Sequence, residues 1–308
     1  MPQPVEIRAG GYQPPASVHN QAMRAVQEEV ERRLGDAAAF TFTENIMEQG
    51  HNAADLLTMT ESGELTLCYF STSYLAERVP EFGLLDLPFV FRDREHAYAV
   101  LDGPFGDHLR ARLEEATGYR LLALWDNGFR HISNRVRELH APEDCDGLRI
   151  RTLLSDLHQR AFAMMGFEPV PLDVKDLLTA VREGTVDAQD NALTNIYNFE
   201  IYRQHRYITL SSHFFGAAAV LGHASTIDAW EPAVRDEVRA AVHAATASQR
   251  AAATAEDQTV LDRLATEDSD VRTLTDEERA AFVTAVAPLL EEQRARFGAE
   301  LFDLVTLR

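Results

Sequence analysis

The sequence has little of what would mark a disulfide-stapled, membrane-spanning or readily recognised catalytic protein. It contains only two cysteines, Cys68 and Cys145, in 308 residues, so disulfides cannot form its scaffold. No stretch approaches the roughly 20 consecutive apolar residues that span a bilayer. The chain also lacks the His-Glu-x-x-His and Cys-x-x-Cys patterns of metal sites, the Gly-x-Ser-x-Gly nucleophile elbow and the glycine-rich phosphate loop.

Positive charge is scarce as well. Asp and Glu together number 49 against 29 Lys and Arg, which gives a formal net charge of −20 at pH 7. Such a field repels nucleic acid and anionic membrane surfaces, and we therefore expect neither as a partner. An anionic small ligand would need a local basic pocket to bind against this field.

The first residues, Met1-Pro-Gln-Pro-Val-Glu-Ile-Arg, carry no basic segment followed by an apolar one. That order is the pattern of a secretory signal. We expect either a cytoplasmic protein or a protein from which the signal has been removed.

Strand and helix patterns alternate from the first residues onward, beginning with a strand over residues 5–9 and a helix that Ser17 caps. The next predicted elements are a strand, a helix and a strand: Phe40–Thr43, Ala53–Thr60 and Leu65–Tyr69. This order predicts an α/β protein with a doubly wound sheet. Ligands of such sheets bind beyond the carboxyl ends of the strands, and Gln13, Ser73 and Tyr74 follow such ends.

The middle of the chain repeats this alternation. Tyr119–Trp125 is predicted as a strand that stops at the turn signal Asp126-Asn-Gly128. Asn191 is expected to open a helix. Two separate strands, Arg206–Ser211 and Phe215–Gly222, are expected to carry the chain back towards its first half.

The last third of the sequence is helical in character. Ser225–Leu264 has almost no glycine and only one early proline, and it predicts one helix of about 35 residues and about 50 Å. Such a helix is long enough to lie across two lobes. Thr275-Asp-Glu-Glu278 fits a capping box for a final helix that runs through Phe297.

Arg151 is the strongest candidate for a binding residue. It ends the predicted strand Leu148–Thr152, where a guanidinium can offer a planar fork of donors to a carboxylate. Asn191 follows forty residues later. The alternative for Arg151 is a structural ion pair with Asp173 or Asp187.

Aromatic residues and histidines supply weaker candidates. Phe129, Phe214 and Tyr74 each lie beside a predicted strand end or a point where the chain is expected to pass between two lobes. An aromatic lining would suit an acid with an apolar or ring-bearing tail. Plain core packing is the alternative for each. His19 and His213 lie near the same elements, with capping or core roles as their alternative.

These segments, together with Gly128-Phe-Arg130-His-Ile-Ser-Asn134 and Pro169-Val-Pro-Leu-Asp173, resemble the DctP-type substrate-binding proteins of TRAP (tripartite ATP-independent periplasmic) transporters. The resemblance covers nearly the whole chain. It implies a two-lobe periplasmic binding protein fold of the α/β class, with a cleft between the lobes and a long C-terminal helix spanning both. We expect lobe I at 1–125 plus 213–255, lobe II at 126–212, and helices of 256–308 packing across them.

The resemblance also assigns roles to residues. It implies that Arg151 forms a paired salt bridge with the ligand carboxylate, that Asn191 helps to hold this arginine and the ligand, and that Arg130 is an auxiliary basic position. The family's usual Gln-Glu-Asn-Pro reads Gln189-Asp-Asn-Ala192 here. This change shortens the acid by one methylene and removes a proline that would rigidify a helix start.

The expected function is therefore that of an extracytoplasmic solute-binding protein. It would capture an organic monocarboxylate, with an aromatic or apolar tail, and deliver it to the TRAP permease subunits in the membrane. We expect a periplasmic monomer without catalytic residues, cofactor or metal. The alternative is a cleft enzyme, a lyase or hydrolase of small carboxylates, which would need a poised acid and base that the sequence does not show.

Overall fold

A computed structural model of the protein describes residues 4–306, apart from the side chains of Val174 and Lys175. Its strands are β1 (Val5–Gly10), β2 (Ala38–Thr43), β3 (Leu67–Ser71), β4 (Tyr119–Asn134), β5 (Arg149–Thr152), β6 (Glu168–Pro171), β7 (Ala188–Ala192), β8 (Tyr207–His223) and β9 (Asp270–Thr273). Its helices are α1 (Val18–Leu34), α2 (Asp55–Glu61), α3 (Arg94–Leu101), α4 (Pro104–Ala116), α5 (Asp156–Met164), α6 (Val174–Glu183), α7 (Leu193–Asn198), α8 (Ala224–Ala229), α9 (Pro232–Leu264), α10 (Asp276–Phe297) and α11 (Ala299–Thr306). The predicted α/β class is confirmed. Among the described helices, none is both long enough and apolar enough to cross a membrane.

The chain divides into two compact units. Unit 1 comprises Met1–Gly83, Leu101–Asn127 and Ala217–Thr254, and unit 2 comprises Leu84–Val100, Gly128–Gly216 and Ala255–Arg308. The chain passes from one unit to the other after Gly83, after Val100, and within β4, β8 and α9. The passages in β4 and β8 follow residues 127 and 216, whereas the predicted lobe boundaries follow residues 125 and 212, and residues 84–100 and 255–308 belong to unit 2.

Aromatic packing explains why residues 84–100 belong to unit 2. Phe91 meets Phe215 edge to face, with ring centroids 5.5 Å apart. Phe89 stacks on Phe282 of α10 at 6.4 Å, and Arg279 of the same helix donates to the Phe91 carbonyl at 3.0 Å. Helix α10 is part of the same core. The apolar residues from Leu84 to Phe91 are thus buried in the core of unit 2.

In unit 1, β1 lies between β2 and β3, parallel to both, and β3 pairs antiparallel with the C-terminal half of β8. Helix α1 begins where predicted, because the Ser17 hydroxyl accepts a hydrogen bond from the Asn20 N–H at 3.2 Å. Its apolar stripe, which includes Met23 and Val26, is completely buried against this sheet.

In unit 2 the strands follow the order β4-β7-β5-β6. Strand β7 runs antiparallel to β4, with Arg130 opposite Ala192, and parallel to β5, with Arg151 opposite Gln189. The expectation that Asn191 opens a helix is wrong. Asn191 lies inside β7, and helix α7 begins two residues later at Leu193.

The expected break at Asp126-Asn-Gly128 is also wrong, because these residues lie inside β4, a single strand of 16 residues. Gln249 of α9 clamps the strand there: its amide oxygen accepts from the Asp126 N–H at 2.9 Å and its amide nitrogen donates to the Asp126 carbonyl at 2.6 Å. Gly128 tolerates the left-handed φ of 87° that follows. Strand β8 is likewise one strand of 17 residues, with Ser212 at φ 46° inside it.

The long helix predicted over residues 225–264 is interrupted. Helix α8 ends at Ala229, and α9 starts at Pro232 and runs for 33 residues. Proline has no N–H to donate and suits the first turn of a helix, so it marks a start. The capping box at Thr275 is confirmed, since its hydroxyl accepts from the Glu278 N–H and the Glu278 carboxylate accepts from the Thr275 N–H.

Several histidines are buried as neutral rings. Burial lowers the pKa of His19 and His158 to about 4 and that of His131 and His205 to about 3. An imidazolium loses hydration on burial, and desolvation favours the neutral form. These rings are therefore neutral at pH 7.

The Gln249 clamp generates a test of the fold. We expect Gln249→Leu to lower the free energy of unfolding by about 1–3 kcal/mol, because it removes two hydrogen bonds to the buried backbone of Asp126. Gln258→Leu on the exposed side of the same helix is the control and should change it little. Chemical denaturation measures both, and equal effects of the two variants would contradict the proposed clamp.

The buried histidines generate a second test. Their pKa lies below the ordinary value of about 6.5 in the folded protein, so the unfolded chain binds more protons between pH 6.5 and 4 and stability falls as pH falls. Replacing His19, whose ring stacks on Tyr69 at 5.3 Å, by Phe should remove part of that slope. The exposed His243→Gln should not. Denaturation curves at pH 7, 6, 5 and 4.5 measure the slopes, and a His19→Phe slope like that of the parent refutes the assignment.

Candidate functional site

Neighbouring strands of unit 2 carry the basic and amide residues singled out in the sequence. Arg130 lies on β4, Asn191 on the adjacent β7, and Arg151 on β5, next in order. Arg151 and Asn191 each stand one residue before the end of their strand, whereas Arg130 lies inside β4. Sheet pairing thus brings together positions that are 21 and 40 residues apart in the sequence.

Arg130 and Asp190 form a buried ion pair. The Nε of Arg130 donates to Oδ2 of Asp190, and Nη2 donates to the Asp190 carbonyl at 2.8 Å. The Asp190 side chain is completely buried. Burial alone would raise the pKa of its carboxyl, but the Arg130 charge and hydrogen bonds from His213 and Arg130 hold that pKa well below its usual range. Asp190 is therefore a carboxylate despite its burial.

His213 supports this pair from β8. Its Nε2 lies 3.5 Å from Oδ2 of Asp190, and its Nδ1 lies 2.7 Å from the hydroxyl of Ser211. The left-handed Ser212 between them sets their directions along the strand. Burial is the main cause that lowers the pKa of His213. His213 was considered either as a binding residue or as a capping or core residue. The structure shows it completely buried within the core.

Arg151 differs from Arg130 in its surroundings. The residue is 2% exposed, and its Nε donates to the Leu172 carbonyl at 3.0 Å. Among the described side chains no carboxylate lies within salt-bridge distance of its guanidinium. Burial lowers its pKa, Asp190 acts in the opposite sense, and the positive charge of Arg130 lowers it further.

The structural alternative for Arg151 was an ion pair with Asp187 or Asp173. Asp187 pairs with Arg149 instead: Nε of Arg149 donates to Oδ2 of Asp187 at 2.8 Å, and Nη2 of Arg149 donates to Oδ1 at 2.9 Å. Asp173 is exposed and contributes the smallest of the three charge effects on Arg151.

Asn191 is held by amides rather than by arginine. Its Nδ2 donates to Oε1 of Gln189 at 3.4 Å, and its Oδ1 accepts from Nδ2 of Asn195 at 2.9 Å. No hydrogen bond joins Asn191 to Arg151 within the described residues. Asn191 is 5% exposed, so its amide geometry is set inside the protein.

Phe129 and Phe214 are both buried by protein rings. Phe129 meets Phe215 edge to face at 5.0 Å. Phe214 is stacked face to face on His158, with centroids 4.3 Å apart and planes 7° apart. His158 lies near Asp190 and the two arginines, whose charges act on its pKa. The sequence analysis did not identify His158, although it stands three residues beyond Ser155, which caps α5.

In unit 1, Gln13 lies in a firmly anchored loop after β1. The Tyr69 hydroxyl accepts from the N–H of Gln13 at 3.3 Å and donates to Oδ1 of Asn20 at 2.7 Å. The Asn20 amide donates in turn to the Gln13 carbonyl at 2.8 Å. A Cβ on Gly11 would lie 2.7 Å from Asn20 Oδ1 and 2.9 Å from the Tyr69 ring, so this close packing requires glycine.

Tyr74 and Ser73 lie in the turn after β3. Tyr74 is 59% exposed and meets Phe70 edge to face at 4.8 Å, and Phe70 packs against Tyr12 at 5.1 Å. The Ser71 hydroxyl donates to that of Ser73 at 3.5 Å. The unit 1 candidates thus gather around aromatic rings at the carboxyl ends of β1 and β3.

The chemistry available in unit 2 is that of an anion site. Arg130 and Arg151 bring two positive charges and Asp190 one negative charge, while the buried histidines nearby are neutral. The described residues contain no group of three or more His, Cys, Asp or Glu arranged to hold a metal ion.

Comparison with known proteins agrees with this chemistry. Residues 10–296 match the family model of the bacterial extracellular solute-binding proteins, family 7, called DctP. The 2,3-diketo-L-gulonate-binding periplasmic protein of Escherichia coli is 28% identical over 82% of this chain and 77% of its own length.

Two solved structures share the fold. A TRAP periplasmic solute-binding protein from Ochrobactrum anthropi, with its C-terminus bound in its ligand-binding pocket, is 29% identical and superposes with a TM-score of 0.93 over 98% of this chain and 94% of that one. The sugar acid binding protein of Advenella mimigardefordensis, in complex with galactonate, is 29% identical with a TM-score of 0.86 over 99% and 97% of the two chains.

The family match decides between the two functions considered for the sequence. It covers nearly the whole chain, and the solved relatives are binding proteins of transporters rather than enzymes. The chain therefore belongs to the DctP family, family 7 of the bacterial extracellular solute-binding proteins, and serves a TRAP transporter as its solute-binding protein.

Proposed function

We propose that the protein binds an organic monocarboxylate in the periplasm and passes it to the membrane subunits of a TRAP transporter. The family match, the periplasmic name of the Escherichia coli relative and the TRAP name of the Ochrobactrum anthropi structure support this setting. Arg151 would fix the carboxylate, Asn191 would complete that end of the site, and Arg130 would act through its charge. Gln13, Ser73 and Tyr74 of unit 1 are proposed as additional ligand-binding residues.

One observation carries the assignment of Arg151. Its guanidinium is almost fully buried, yet no described carboxylate lies within salt-bridge distance of it, since Asp190 pairs with Arg130 and Asp187 with Arg149. A buried charge without a partner is costly, and proteins rarely keep one without a role. A ligand anion would balance this charge.

The orientation of Arg151 favours a paired interaction. Its Nε is already engaged by the Leu172 carbonyl, which fixes the plane of the guanidinium. The two terminal nitrogens remain to donate in parallel to two carboxylate oxygens, an arrangement that lysine cannot reproduce.

The tail of the ligand is proposed to be polar. Protein rings already cover Phe129 and Phe214, so these two residues give little support to the expected aromatic or apolar tail. Galactonate and 2,3-diketo-L-gulonate, named for two relatives, each carry one carboxylate on a chain of oxygen-bearing carbons. A sugar acid with one carboxylate fits these observations. Mass spectrometry of small molecules released from the purified protein would identify the ligand directly.

Arginine-to-lysine substitutions on one strand provide a matched test. We expect Arg151→Lys to keep the fold and to lose roughly 2–5 kcal/mol of affinity for the carboxylate, because the paired geometry disappears. Arg149→Lys, two residues earlier, replaces a guanidinium that pairs with Asp187 at the surface and should bind like the parent. Calorimetry with galactonate and 2,3-diketo-L-gulonate measures both. The assignment fails if the two variants bind equally well.

Arg130→Lys provides a second comparison. Because Arg130 holds the buried Asp190 through two of its nitrogens, we expect this variant to lower the melting temperature. Its affinity for the same acids should fall distinctly less than that of Arg151→Lys. A larger loss of affinity in Arg130→Lys than in Arg151→Lys would reverse the two roles.

Neutralising the ligand gives an independent prediction. The amide of a bound acid should bind at least about a hundredfold more weakly than the acid itself. It offers no charge to the buried guanidinium, and its NH₂ group repels the N–H donors of Arg151. Calorimetry with galactonate and galactonamide compares the two. Equal affinities would show that the carboxylate is not the anchor.

A further inference from the structure

A chain of buried polar side chains leads from the interior of unit 2 to Asn191. Nδ1 of His205 lies 3.2 Å from the Ser133 hydroxyl, and that hydroxyl accepts from Nε2 of Gln189 at 2.7 Å. Oε1 of Gln189 then accepts from Asn191, which itself accepts from Asn195. We call these five residues the amide chain.

The members of the amide chain lie on strands that already pair. Ser133 of β4 is opposite Gln189 of β7, and Gln189 is opposite Arg151 of β5. His205, Ser133 and Gln189 are completely buried. They cannot reach water, so their hydrogen bonds must be made within the protein.

The orientation of the Gln189 amide sets the direction of the chain. Gln189 turns its NH₂ towards Ser133, and its oxygen must therefore face Asn191. Only the NH₂ of Asn191 can donate to that oxygen. The Asn191 oxygen therefore points towards Asn195. A flipped Asn191 amide would set oxygen against oxygen and NH₂ against NH₂.

This direction leaves Asn191 with one N–H that no described residue accepts. We infer that Ser133 and Gln189 are positioning residues that turn this N–H towards the solute carboxylate held by Arg151. The inference rests on the proposed function of Arg151 and Asn191. It assigns to the buried Ser133 hydroxyl an effect on solute affinity without contact with the solute.

A double-mutant cycle tests the inference. Ser133→Ala removes the hydroxyl that receives the Gln189 NH₂, and we expect it to weaken galactonate or 2,3-diketo-L-gulonate binding about fivefold to tenfold. In an Asn191→Ala background the same substitution should cost no further affinity. Equal losses in both backgrounds would overturn the inference, since a merely structural effect is independent of Asn191.

A matched control separates stability from positioning. Thr246→Val removes another buried hydroxyl, which accepts from Trp125 in unit 1, and should lower the melting temperature without changing affinity. A loss of affinity in Thr246→Val as large as that in Ser133→Ala would refute a specific role for Ser133.

A measurement without solute keeps the two proposals distinguishable. In NMR spectra of the protein alone, Ser133→Ala should shift the side-chain NH₂ signals of Gln189 and Asn191 and speed their exchange with water. Thr246→Val should leave them in place. Unchanged Asn191 signals in Ser133→Ala overturn the amide chain, whereas equal carboxylate binding by Arg151→Lys and the parent overturns the proposed function.

Discussion

The placement of two guanidinium groups beside one buried carboxylate, with Arg151 almost fully buried and Arg130 partly so, is the constraint on which unit 2 depends. Arg130 and Asp190 offset each other, but Arg151 gives up water without gaining a carboxylate from the described residues. Such a charge is tolerated only where its surroundings are held in place. The β4-β7-β5 ladder and the Leu172 carbonyl supply that support, and on the proposed role of Arg151 a solute carboxylate would turn the cost of burial into binding free energy.

The shorter acid at position 190 is consistent with this arrangement. Where the family usually has Glu, Asp190 still reaches Nε of Arg130 and lies 3.5 Å from His213. Its other oxygen, Oδ1, is buried without a hydrogen-bond partner among the described residues. Asp190 thus keeps its ion pair with Arg130 through one oxygen while the other has no partner among the described residues.

Local signals in the sequence predicted local features well. Ser17 and the Thr275–Glu278 box cap helices as expected, because both partners lie within one turn. The break expected at residues 126–128 failed because Gln249, more than a hundred residues later, holds the Asp126 backbone in the strand. Arg151 and Asn191 could be proposed from the strand end and the family resemblance, whereas His158 and the amide chain depend on pairings that no short segment encodes.

The single bond from Arg151 to the Leu172 carbonyl also bears on how long a solute stays. If Arg151 holds the solute carboxylate as proposed, a departing solute leaves behind a cation that water can barely reach, since the residue is 2% exposed. That penalty would slow release more than it speeds capture, and so lengthen the residence time. Release to the membrane subunits would then require that this cation be rehydrated or offered another anion.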